Sequence, residues 1–215
     1  GYMSQNEQHF QEYIKSKDYK NALKVRKEIR KSMTKEITKD DIIGVIESIC
    51  NIKMMTEEHY HYLCETLDKK IYGQDLGKLK KLLHRKVVDN KILGITLNGS
   101  EGVGKRYTAK TIAETMNYHY VELDGLEYTS PTSISRLVGS DPGYVGYEDD
   151  KLFDKIKYHP YTLLFIDHYP YMAQNIKHLM TSILKNGYAI DNRGEKISFQ
   201  NTMIIMATNI TDKTI

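Results

Sequence analysis

Gly99-Ser100-Glu101-Gly102-Val103-Gly104-Lys105-Arg106 is the stretch that decides the fold. It follows the phosphate-loop pattern G-x-x-x-x-G-K-[ST] as far as Lys105 and departs from it at the last position. The glycines let successive backbone N–H groups converge on one concavity that holds phosphate oxygens. Lys105 is placed to reach the terminal phosphates, so Gly99, Ser100, Glu101, Gly102, Val103, Gly104, Lys105 and Arg106 form the candidate nucleotide-binding set. The hydroxyl missing at Arg106 is the one that normally helps hold magnesium. The chain therefore declares a nucleotide fold and alters its chemistry at the same point.

The flanks support the loop. Ile92–Leu97 reads as a buried strand feeding it, and a helix is predicted from Lys105 to Met116. The loop needs that context, because the helix N-terminus adds its dipole to the ring of amides. Further apolar strands are predicted over 118–123, 161–167 and 202–207, with a helix over 172–185 that Gly187 is placed to end. Buried strands alternating with helices predict an α/β fold, a P-loop parallel sheet flanked by helices.

Upstream, helices are predicted near 40–50, 56–68 and 75–88. Thr38 and Asp41 supply a variant capping box before the first of them. Residues 1–35 read as a short helical hairpin, with Ser16-Lys17-Asp18 capping its second helix. That hairpin is too small to bury a core alone. The expected organisation is a hairpin over 1–35, a helical linker over 36–70 and a nucleotide-binding unit over 71–215.

Hydrophobic residues make up 40% of the 215 and charged residues 27%, enough for a globular core. A net charge of +3, with both signs interspersed, argues against a dedicated nucleic-acid binder. Cys50 and Cys64 make no disulfide framework, which suits a reducing compartment. No apolar run reaches the roughly 18 residues of a membrane span, and no signal-peptide pattern precedes the first helix. The cytoplasm is the expected location.

Three further places carry chemistry. The strand ending in Asp167 points an acid toward the loop. The residue after it, where a hydrolase carries a glutamate to polarise water, is His168. A neutral imidazole can accept a proton, but an inert replacement is the favoured reading. Losing a general base slows a reaction roughly 10²–10⁴-fold. Asn209, at the end of the next strand, is either a polar contact to a terminal phosphate or a turn residue. Gly143-Tyr144-Val145-Gly146-Tyr147 is either a loop that grips polypeptide through its aromatic rings or an ordinary turn. His59-Tyr60-His61 lacks metal-ligand spacing, so no histidine metal site is expected. Lys78-Leu79-Lys80-Lys81 reads as a solvated helix face.

From Ile71 to Asn209 the chain resembles the second AAA+ module of Clp-type chaperone ATPases, the ClpB and ClpC group. Gly73-Gln74-Asp75 resembles the box ahead of the phosphate loop. Ser135-Arg136-Leu137-Val138-Gly139-Ser140 and Pro142-Gly143-Tyr144-Val145-Gly146-Tyr147 resemble the pore-loop segment. His159-Pro160-Tyr161 resembles the lead-in to the Walker B strand, and the stretch from Asn201 to Asn209 resembles the sensor-1 strand. Lys17-Asp18-Tyr19-Lys20-Asn21-Ala22-Leu23 with Arg26 is similar to the UVR-type hairpin of ClpC-like proteins, and Asp40-Asp41-Ile42 resembles the ClpC linker before the AAA+ module.

The resemblance implies ATP or ADP as ligand, and hexamers that draw polypeptides through a pore. It implies that Ile71 and Tyr72 flank the adenine, that Asp167 faces magnesium, that Asn209 is sensor 1 and that Tyr144 and Val145 touch the client. The chain departs from the family at Arg106, at His168, and at Asn186-Gly187-Tyr188, where the family has Asp-Gly-Arg. The family's arginine finger and small helical lid would follow Asn209, and this chain ends at Ile215.

The expectation is an ATP-binding chaperone subunit with weak or absent hydrolysis, in which the Arg106 charge replaces magnesium. The alternative is a catalytically inactive pseudo-ATPase, an adaptor or regulatory module for a Clp-type ring or a client protein. Either way the partners are polypeptides or other subunits, as a homo- or hetero-oligomer. Membrane and nucleic acid are not expected partners.

Overall fold

The computed structural model describes residues 12, 15, 16, 18, 21–27, 38–50, 54–89, 91–139 and 151–209. The chain divides into two units, Gly1–Ile46 and Glu47–Ile215. In the first, residues 21–27 are helical. The Asp18 carboxylate accepts from the backbone N–H of Asn21 at 3.3 Å and from its side-chain amide at 2.8 Å, the capping role predicted for it. Thr38 and Asp41 close a reciprocal box: the Asp41 carboxylate accepts from the Thr38 N–H at 3.0 Å, and the Asp41 N–H donates to Thr38 Oγ1 at 3.2 Å. The helix Lys39–Cys50 follows.

The second unit is built on four parallel strands. They are β1 (Leu93–Asn98), β2 (His119–Asp124), β3 (Thr162–Asp167) and β6 (Met203–Thr208), in the spatial order β1-β6-β3-β2. A short antiparallel hairpin, β4 (Tyr188–Ile190) and β5 (Lys196–Ser198), lies outside that sheet. β3 and β6 are buried on both faces except at their last residues, Asp167 and Thr208. That is why they read as continuous apolar runs rather than alternating ones.

Alternate residues of each strand feed two cores. Leu163, Phe165, Met203, Ile205 and Ala207 pack with Ile112 and Met116 of the helix Lys105–Met116 and with Leu63 and Leu67 of the helix Glu57–Lys70. Leu164, Ile166, Ile204 and Met206 pack with Ile176, Met180 and Ile183 of the helix Gln174–Asn186. Residues 57–70 thus share a core with the sheet. Gly187 caps the helix Gln174–Asn186 in the left-handed region, its N–H donating to Ile183 O at 2.8 Å. A parallel sheet covered on both faces leaves its strand C-termini as the open edge of the layers, and the polar strand ends gather there.

At the opposite edge, where the strands begin, a buried ammonium ties two strand entries together. Lys86 of the helix Gly77–Asp89 is 4% exposed. Its Nζ donates to Lys91 O at 2.7 Å, ahead of β1, and to Gln200 O at 2.6 Å, ahead of β6. Burial lowers its pKa from 10.5 to about 8. Among the described residues no helix is long and apolar enough to cross a membrane.

Candidate functional site

The phosphate loop sits between β1 and the helix Lys105–Met116, as the pattern requires. Gly104 is the residue before that helix, with φ 94°, and no side chain caps the first turn, so its amides are left for a ligand. Gln74 braces the loop from outside, its side-chain amide donating to Val103 O at 2.9 Å. Lys105 Nζ folds back onto its own loop, donating to Gly99 O at 2.6 Å and Ser100 O at 2.9 Å.

A cavity of about 650 Å³ opens over the loop. Lys105, Arg106 and Lys110 line it as cations, and Asp167, His168 and Asn209 line it from the strand ends. The phosphate loop, Asp167 and Asn209 are therefore brought together around one cavity. Ile71 and Tyr72 do not line this cavity; Ile71 packs against the core and Tyr72 is 82% exposed. Tyr144 and Val145 lie outside the described residues.

Arg106 holds the centre. Its Nη2 donates to Asp167 Oδ2 at 3.1 Å, and its Nε pairs with Glu122 Oε1 of β2 at 2.5 Å. Tyr120 donates its hydroxyl to the other Glu122 oxygen at 3.0 Å. Burial first, and the Glu122 carboxylate next, push the Tyr120 hydroxyl well above its usual pKa, so it stays a donor. A cation in a helix's first turn opposes the helix dipole, and the two carboxylates offset that. With half of its side chain exposed, each Arg106 ion pair contributes only about 0.2–1 kcal/mol. The bridge therefore fixes geometry more than stability.

These residues do not fit magnesium. The hydroxyl position is a guanidinium, and the acid that would face the metal already carries that guanidinium. They do fit a phosphate-bearing ligand, since Lys105, Arg106 and Lys110 all line the cavity and no side chain caps the first-turn amides of the helix after the loop. The Asn209 side-chain oxygen is buried without a hydrogen-bond partner among the described residues. A buried, unpaired acceptor costs about 1–3 kcal/mol unless something in the cavity donates to it.

His168 turns out to be partnered. Its Nδ1 lies 2.9 Å from Asp124 Oδ1 at the end of β2. β2 and β3 run in register with Asp124 opposite Asp167, which sets the Asp124 side chain beside the turn that follows β3. His168 itself has φ 49° and ψ 33°, and its N–H donates to Asp167 Oδ1 at 3.0 Å. A non-glycine residue held there stores strain of about 1–3 kcal/mol and marks a constrained site. Gly125 permits the contact: a Cβ on it would stand 2.3 Å from His168 O and 2.9 Å from Asp167 O. Burial tends to raise the Asp124 pKa. The Leu126 N–H and the His168 imidazole outweigh it, and the carboxyl ends below its usual value.

Sequence reasoning had not named Glu122, Asp124, Tyr107 or Lys110 as part of this region. Glu122 and Asp124 carried one available signal, as charged residues at the C-terminal end of a strand beside the phosphate-loop strand system. Among the described residues no group of three or more His, Cys, Asp or Glu side chains is placed to hold a metal ion.

A loop of amides after one strand, an acid at the end of another and a cavity over both define a P-loop nucleotide-binding domain. Residues 90–215 match the family model described as AAA domain (Cdc48 subfamily), and the chain belongs to that family. It is similar to the chaperone protein ClpB of Enterococcus faecalis, 32% identical over 211 residues, which is 92% of this chain and 24% of that protein. It is also similar to the chloroplastic chaperone protein ClpB2 of Oryza sativa subsp. japonica, 32% identical over 197 residues, 84% of this chain and 20% of the relative. A third relative is the ATP-dependent Clp protease ATP-binding subunit ClpA homolog of Cyanidium caldarium, 31% identical over 198 residues, 83% and 23%. The chain thus spans about a quarter or less of the length of these relatives.

Proposed function

We propose that this chain is a nucleotide-binding module of a Clp-type chaperone, in which the Arg106 guanidinium replaces magnesium beside the terminal phosphates of ATP or ADP. The observation that carries this reading is the placement of Arg106, next to Lys105 and held by Asp167 and Glu122. A guanidinium is always charged and presents a fork of donors that suits phosphate oxygens. In this reading the loop amides and Lys105 hold the phosphates, Asn209 meets the terminal phosphate or its water, and Ile71 and Tyr72 flank the base. Hydrolysis is slow, because no metal bridges the phosphates and the usual carboxylate base is absent. Tyr144 and Val145 would contact a polypeptide client within an oligomer, a hexamer by family, in the cytoplasm.

The second reading is a pseudo-ATPase that binds nucleotide without turning it over and serves as an adaptor or regulatory module for a Clp ring or a client. The same replacement of hydroxyl by Arg106 and carboxylate by His168 favours it. Turnover separates the two. Phosphate release that a Lys105→Ala substitution abolishes supports the slow motor. Nucleotide binding without release in the parent, with release gained only by Arg106→Thr combined with His168→Glu, supports the regulatory module. Absence of ATP and ADP binding would defeat both.

A further inference from the structure

We infer that Asp124 and His168 form a carboxylate–imidazole dyad in which Asp124 is a positioning residue and His168 Nε2 is the proton acceptor for water attacking a bound nucleoside triphosphate. This rests on the reading of the cavity as a triphosphate site.

The arrangement is built rather than incidental. Asp124 Oδ1 lies 2.9 Å from His168 Nδ1 and also accepts the Leu126 N–H at 3.0 Å, so the carboxylate is held from both sides. That carboxylate keeps the Nδ1–H tautomer and leaves the Nε2 lone pair free, the logic by which a third group orients a base in hydrolases. Among the described residues no other hydrogen bond reaches the His168 ring, and His168 lines the phosphate cavity. Tyr171 lies edge-on to the imidazole, ring centroids 6.3 Å apart. The left-handed backbone at residue 168 turns the side chain back toward Asp124, and Gly125 makes room for that turn. Strain of this kind persists where the surrounding structure over-determines it. A neutral imidazole with its Nδ1–H committed to Asp124 cannot donate to a phosphate oxygen through Nε2. It can accept a proton there.

The step balances. The water oxygen forms a bond to the terminal phosphorus while its proton passes to Nε2. The bond from that phosphorus to the bridging oxygen breaks, and the electron pair leaves on the nucleoside diphosphate. The imidazolium then releases its proton to solvent. Arg106 and Lys105 face the charge on the phosphate oxygens throughout.

The test uses the whole chain and two readouts. Long-range ¹H–¹⁵N correlation of the imidazole, assigned to His168 by its loss in His168→Gln, is expected to show the Nδ1–H tautomer in the parent and its loss in Asp124→Asn. Phosphate release from ATP is expected to fall about 10²-fold in both His168→Gln and Asp124→Asn, while ATP affinity moves less than about twofold, a loss confined to the transition state. His168→Glu, which restores a carboxylate base, is expected to retain release. An Nε2–H tautomer in the parent overturns the proposal, and that measurement needs no variant of Asp124 to fold. Asp124→Asn releasing phosphate at the parent rate overturns it too. ATP binding without release in the parent defeats the dyad as a base and leaves the nucleotide site standing. Failure to bind ATP defeats the nucleotide reading, and the dyad's role with it.

Discussion

Lys86 gives the fold a pH dependence with a definite sign. Its ammonium is buried beneath the starts of β1 and β6, and burial brings its pKa from 10.5 to about 8. Above pH 10.5 the amine is neutral in both folded and unfolded chains and carries no penalty. As pH falls from there toward 8, the unfolded chain takes up the proton and the folded chain does not, so stability is lost. Below about 8 both are protonated and the loss levels off. At 1.36 kcal/mol per pH unit the whole gap is worth about 3 kcal/mol, of which about 2.5 kcal/mol falls between pH 7 and pH 10.

Lys86→Met removes the titration and leaves Lys91 O and Gln200 O without their donor. Other groups whose folded and unfolded pKa values differ, such as Tyr118, whose hydroxyl burial pushes up, act equally on parent and variant and cancel in the difference. Urea unfolding of both proteins at pH 7, 8, 9 and 10 should show the stability of the parent rising relative to Lys86→Met by about 2.5 kcal/mol over the series. A difference that stays flat with pH would refute the assignment of a buried, depressed ammonium at this position.

Other perturbations read the site directly. Gly125→Ala places a methyl 2.3 Å from His168 O, so the turn after β3 or the segment after β2 must move. A loss of about 1–3 kcal/mol is expected in thermal or urea unfolding, with weakened nucleotide binding, and an unchanged melting curve would contradict the close approach. Gln74→Ala removes the bond to Val103 O. Loosening the loop by one hydrogen bond, about 1 kcal/mol, should weaken ATP binding roughly fivefold by calorimetry without altering the melt of the sheet. Lys105→Ala should abolish ATP binding, and retained affinity would place the phosphates elsewhere.

The sheet was legible because its signal is local. β3 and β6 are apolar throughout, and their predicted spans, 161–167 and 202–207, nearly coincide with Thr162–Asp167 and Met203–Thr208. The helix predicted over Lys105–Met116 spans those same residues. The hairpin of β4 and β5 was missed because each strand is too short for a periodic pattern to declare itself. The turn between them, Asp191-Asn192-Arg193-Gly194, was the available clue.

At the site, the loop, Asp167, His168 and Asn209 were readable from pattern, and their partners were not. Glu122 meets Arg106, and Asp124 meets His168, only once β2 is laid beside β3 in a particular register. Parallel pairing between segments so far apart in sequence leaves no local trace. The partner of His168 and its left-handed backbone are likewise set only by the fold.

If Arg106 does the electrostatic work of a metal ion, ATP binding needs no magnesium. The most direct measurement is isothermal calorimetry of ATP binding to the parent chain and to Arg106→Thr, each with magnesium and with EDTA. The parent is expected to bind ATP in EDTA with an affinity close to that in magnesium, and Arg106→Thr to acquire a requirement for the metal. Strict magnesium dependence in the parent, with no binding in EDTA, would contradict it.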